Sequence, residues 1–109
     1  MTLNNHRIRA LNDQFRRTGF GGKIMLTCTV AALPTEKQAE IMRRVHTFTD
    51  FDEKNDPHGE HDMGFFEIGG SKYWFKLDYY DRSMEYGSPD AADPTLTVRV
   101  LTIGAPEDY

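Results

Sequence analysis

The apolar positions of the chain fall into two kinds of rhythm. In residues 4–18, "NNHRIRALNDQFRRT", Ile8, Leu11 and Phe15 recur at helical spacing on one stripe, with Arg7, Arg9, Arg16 and Arg17 outside it. The two late arginines suit the negative end of a helix dipole, and Gly19 can stop the helix. Residues 23–30, "KIMLTCTV", alternate instead. Ile24, Leu26, Cys28 and Val30 share one face of an expected strand, which makes Cys28 a small core residue. "LPTEKQAEIMRRVHTF" returns to the helical period, with Ile41, Met42, Val45 and Phe48 as its buried stripe. Thr35 followed by Gln38 has the spacing of a capping box, and His46 flanks the stripe.

Residues 49–62 are polar and read as a loop. A hairpin follows: "MGFFEI" and "KYWFKLDYYD" flank Gly69-Gly70, which supplies the positive φ angles of a tight turn. In its second arm Tyr73, Phe75, Leu77 and Tyr79 alternate with Lys72, Trp74, Lys76, Asp78 and Tyr80, and the expected cover for Trp74 is the helix layer. "RSMEYGSPDAADP" is a second polar loop before a last strand, "TLTVRVLTI", with Leu96, Val98 and Val100 on one face and Arg99 pointing away. The tail "GAPEDY" is expected to fray. The order α-β-α-β-β-β predicts an α+β fold: two helices on one face of a mainly antiparallel sheet of about four strands.

A length of 109 residues, with 39% apolar and 12% aromatic residues, fits one folded domain at residues 1–109. One cysteine rules out an internal disulfide, no apolar run has signal-peptide length, and none nears the ~18 residues of a membrane span. A cytoplasmic protein is expected. The net charge of -4 is unevenly spread: residues 1–44 carry +5 and residues 45–109 carry -9. That imbalance points either to halves that neutralise each other or to an acidic surface for a basic partner.

At "NDPHGEHDMG", "KLDYYD" and "DPTLTVRVLTI", and from "RIRALNDQFRRT" through "GGKIMLT…AAL", the sequence resembles a family of short bacterial proteins catalogued only as a domain of unknown function. The resemblance covers nearly the whole chain. It implies no known activity, but members are similar to genes often found on plasmids and other mobile elements, which suggests accessory or anti-defence roles.

"NDPHGEHD", residues 55–62, is the stretch richest in chemistry. His58, Glu60, His61 and Asp62 are competent metal ligands, with Asp78 or Asp81 as a distant partner for a metal-dependent hydrolase. Against this, the chain lacks H-E-x-x-H, Cys-x-x-Cys and a calcium-loop pattern. His61 between Glu60 and Asp62 could serve acid–base catalysis, but no activated nucleophile is evident. "GFGGK" precedes a strand, so it reads as a turn rather than a phosphate cradle. Nucleic acid could meet Arg7, Arg9, Arg16 and Arg17, or stack on Trp74, although the acidic balance opposes it.

The favoured reading is structural for the motif. Asn55, Asp56 and Pro57 start a turn, Gly59 reverses it, and His58 or His61 pins the loop to Asp78 or Asp81. Asp52, Glu53, Asp56, Glu60 and Asp62, joined by Asp90 and Asp93, then form an acidic rim for a partner protein with a basic surface. No cofactor is expected and catalysis is disfavoured.

Overall fold

The computed structural model describes residues 3–108. Helix α1 (Leu3–Thr18) leads into strand β1 (Gly22–Leu26), a one-turn helix α2 (Cys28–Ala31) and helix α3 (Thr35–Thr47). Strands β2 (Met63–Ile68), β3 (Ser71–Tyr80) and β4 (Val98–Gly104) follow, with a 3-10 turn at Pro106–Asp108. The sheet order is β1-β4-β3-β2. Only the β1–β4 pair is parallel, so the mainly antiparallel α+β fold expected from the sequence is the one observed.

Strand alternation divides the sheet into two faces. Phe75 lies opposite Ile103, Leu77 opposite Leu101 and Tyr79 opposite Arg99. These residues face α1 and α3, and they close over Phe15, Val30, Ile41, Val45 and Phe48 as the core. Phe48 meets Phe75 edge to face, with centroids 5.2 Å apart. Gly64 is required there, because a Cβ would stand 2.6 Å from a ring carbon of Phe48. The hairpin turn is as expected, with φ of 56° at Gly69 and 85° at Gly70.

Five local expectations are corrected. The first strand stops at Leu26, because the Thr27 hydroxyl accepts a hydrogen bond from Val30 N–H and caps α2. Cys28 therefore sits on an exposed turn, not in the core. No capping box forms at Thr35; Pro34 precedes the helix, and Gln38 Nε2 donates to the carbonyls of Ala31 and Leu33, tying α2 to α3. The last strand begins at Val98 and Leu96 is exposed; Val100 is buried as expected, but Arg99 is buried too, on the helix-facing side with Leu101 and Ile103. The tail is held as far as Asp108, Tyr109 lying outside the described residues: Asp108 accepts from Ala105 N–H and from the hydroxyls of Thr29 and Thr27, and these bonds keep its carboxylate below the usual range.

Trp74 departs from expectation too. It lies on the sheet face away from α1 and α3 and is nonetheless buried. Its indole rests on the backbone at Gly104, and Nε1 donates to Ala105 O at 2.7 Å.

Candidate functional site

The loop at residues 49–62 is built by short-range capping. Asp52 Oδ1 accepts from the backbone N–H of Lys54 and Asn55, and Asn55 Nδ2 returns to Asp50 O. Asp56, 8% exposed, accepts from His61 N–H. Gly59 takes φ 68° and reverses the chain as the sequence suggests. His61 follows at φ 56°, a left-handed conformation that histidine adopts more readily than most residues.

That backbone turn aims the His61 ring inward. Nδ1 lies 2.9 Å from Asp13 Oδ1, and Nε2 lies 3.8 Å from Asp56 Oδ2. The ring stacks on Phe51, 3.9 Å between centroids and 3° from parallel. Asp13 in turn pairs with Arg16 at 3.2 Å. Arg16 is almost wholly buried and donates from Nη1 to Val45 O at 2.8 Å and Phe48 O at 2.9 Å. These carbonyls end α3, where a cation is favoured. Burial lowers the Arg16 pKa while the Asp13 bond opposes that shift. His46 completes the corner by meeting Arg16 O through Nδ1.

A second branch runs to the sheet. Asn12, fully buried, donates from Nδ2 to Glu60 O at 3.0 Å and to the Tyr79 hydroxyl at 2.8 Å. Tyr79 donates onward to Glu60 Oε1 at 2.9 Å. Arg99 Nε donates to Asn12 Oδ1 at 2.9 Å, its Nη2 reaches Ala91 O, and its guanidinium lies over the Tyr79 ring. Burial raises the Tyr79 phenol above its ordinary range and lowers the Arg99 guanidinium. Asp62 is raised by burial first, and then by the nearby charge of Glu60.

The loop is thus pinned, but not where the sequence suggested. His58 is exposed, and its carbonyl accepts from Asn5 Nδ2 at 3.0 Å. Asp78 pairs with Lys76 at 3.2 Å. Asp81 accepts from Ser83 and from the N–H groups of Glu85 and Tyr86, which keep its carboxylate low. Neither aspartate reaches a histidine, because α1 lies closer to the loop and supplies Asn5, Asn12 and Asp13 first. Of the "KLDYYD" strand, Tyr79 is the residue that takes part.

The other candidate sets are redistributed. His58, Glu60, His61 and Asp62 do not converge, and among the described residues no three His, Cys, Asp or Glu side chains form a metal-holding group. The His61 ring has carboxylates beside it, but among the described residues no serine, threonine or cysteine bonds to it. Of the acidic rim, Asp52, Glu53 and Asp90 are exposed, Glu60, Asp62 and Asp93 are half-buried, and Asp56 is turned inside by its bond to His61. Arg7 and Arg17 are exposed and Arg9 leans on His6, whereas Arg16 and Trp74 are buried.

Asn12, Asp13 and Phe51 were not singled out from the sequence, and Tyr79 and Arg99 were read only as strand positions. One signal was available: Asn12 and Arg16 fall at i+4 and i+8 from Ile8, on the buried side of α1. A polar residue on such a stripe needs a partner.

Fold and site together define a small α+β protein whose most chemically rich loop is locked inward by a buried polar network. The chain belongs to the family described as "Protein of unknown function (DUF3768)", whose model matches residues 26–108. The match begins after α1, so Asn12, Asp13 and Arg16 lie outside the matched segment. No curated protein and no solved structure matches the chain.

Proposed function

We propose that the protein is a non-enzymatic interaction protein that binds a basic partner protein through its acidic loops. One observation carries this reading: the His61 imidazole is engaged by the carboxylates of Asp13 at 2.9 Å and Asp56 at 3.8 Å, while Asp52, Glu53 and Asp90 are exposed. The two acidic loops flank α1. Residues 58–61 bond to Asn5, Asn12 and Asp13, and Asp93 feels the charge of Arg7. The -9 balance of residues 45–109 adds a long-range pull on a cationic surface. On this reading the chain works in the bacterial cytoplasm as an accessory or anti-defence factor of a mobile element.

The test is capture from a bacterial lysate by the protein and by its Asp52→Lys/Glu53→Lys/Asp90→Lys variant. Specific partners should be held at ~50 mM salt, weaken as screening shortens to ~8 Å near 0.15 M, and disappear with the variant. Identical capture by both proteins overturns the proposal.

A further inference from the structure

Strand β1 ends the sheet, with β4 as its sole strand neighbour. Four of its five residues are exposed. Thr27 N–H donates to Ile103 O at 3.0 Å, which fixes the direction of the amides before it. By strand alternation the backbone groups of Lys23 and Met25 also turn to β4. Those of Gly22, Ile24 and Leu26 turn outward, and no hydrogen bond to them from another described residue accompanies the β4 ladder.

Edges of this kind are normally blunted by charge, proline or a bulge. Here the register runs unbroken from Gly22 to Leu26, there is no proline, and the one charge, Lys23, lies on the same face as Met25. The opposite edge is treated differently, since Arg44 donates to Glu67 O of β2 at 3.1 Å. Two large apolar side chains of the strand itself are exposed, Met25 at 53% and Ile24 at 38%. Met25 and Met84 share the lining of a hollow of about 450 Å³.

We infer that β1 is a homodimer edge, paired antiparallel with β1 of a second copy about Ile24. The sequence "GKIML" favours a copy of itself as occupant. In this register Ile24 meets Ile24 of the other copy, Gly22 meets Leu26, and Lys23 meets Met25. The outward amides of Gly22, Ile24 and Leu26 are then all paired, giving about six interchain bonds at two per hydrogen-bonded pair. Apolar side chains face apolar ones on the helix side. On the other side each lysine stem lies along a methionine, and the two lysines are never directly opposed, an arrangement that would repel. The two four-stranded sheets become one continuous sheet.

Sedimentation equilibrium of the wild-type chain should show a reversible dimer between ~1 and ~500 µM, the affinity range of modest interfaces. Ile24→Lys opposes two charges at the two-fold, and Ile24→Pro removes an outward N–H without touching the β4 ladder. Each should weaken dimerisation by ~100-fold with unchanged far-ultraviolet circular dichroism. In a Cys28→Ser background, Ile24→Cys should cross-link to itself on mild oxidation, since directly hydrogen-bonded strand pairs lie ~5.5 Å apart. A wild-type chain monomeric throughout overturns the inference, as does binding of a foreign extended peptide without self-association. A dimer indifferent to Ile24→Lys, with no Ile24→Cys cross-link, overturns it equally.

Discussion

Arg16→Met removes the charged end of a buried side chain while keeping most of its stem. Two short hydrogen bonds go, to Val45 O at 2.8 Å and Phe48 O at 2.9 Å, with a long one to His46 O at 3.5 Å and the 3.2 Å pair to Asp13. A bond from a charged donor contributes about 1.5–3 kcal/mol, and the two α3 carbonyls would be left without their partner. Met offsets part of this by packing on Phe51 and Phe75, whose ring centroids lie 5.2 and 5.8 Å from the guanidinium carbon. The variant also no longer has to desolvate a cation. The net loss should be roughly 3–4 kcal/mol, a large share of the 5–15 kcal/mol that holds a typical protein. Urea unfolding followed by circular dichroism should show a lower midpoint at an unchanged slope, and Tm should fall by roughly 12–20 °C. Exposed Arg17→Met is the control and should stay within about 0.5 kcal/mol of wild type. If Arg16→Met lies within about 1 kcal/mol of wild type, the average cost of any point substitution, Arg16 does not cap α3.

Three further outcomes follow from the same geometry. Gly104→Ala puts a Cβ 2.8 Å from an indole carbon of Trp74 and 2.9 Å from Thr27 Cγ2, so it should cost roughly 1–3 kcal/mol in unfolding free energy; a neutral result means that Trp74 does not rest on that backbone. Trp74, the sole tryptophan and 5% exposed, should emit at short wavelength and resist acrylamide, and short single-stranded DNA should leave that emission unchanged. Asp62 has its pKa raised in the fold, so the folded state holds that proton more tightly and stability falls as pH rises from the unfolded carboxylate value through the folded one. Asp62→Asn should therefore raise Tm at pH 7, with a gain that shrinks as pH falls and is gone well below the unfolded carboxylate value of ~3.9, where the wild-type carboxyl is protonated in both states; a gain independent of pH contradicts this.

Periodic elements were legible in the sequence because packing agrees with pattern. Ile8 and Phe15 in α1, Ile41 and Val45 in α3, and the odd-numbered apolar residues of β3 all lie on the helix-facing side of the sheet or against it. The errors arose where a single hydrogen bond outweighs alternation. Thr27 ends β1 by capping α2, although Cys28 and Val30 keep the strand rhythm. Asp108 holds a tail whose composition suggests fraying. Arg99 lies on the helix-facing side because Asn12, distant in sequence, accepts a hydrogen bond from its Nε.

The candidate site was half legible for the same reason. Asn55, Asp56 and Gly59 act locally, so turn chemistry identifies them. The partners of His61 and Glu60 come from α1 and β3, up to 48 positions away, and only the fold decides that Asp13 reaches the ring before Asp78 does.

The inward lock of His61 is tested most directly by a double-mutant cycle of Asp13→Asn and His61→Asn, read as unfolding free energy at pH 6. Groups in contact couple by 0.5–3 kcal/mol, and a pair at 2.9 Å on a half-buried ring should give about 1–2 kcal/mol. A coupling within about 0.3 kcal/mol of zero would mean that the two side chains act independently, and that the loop is not held on α1 by its histidine.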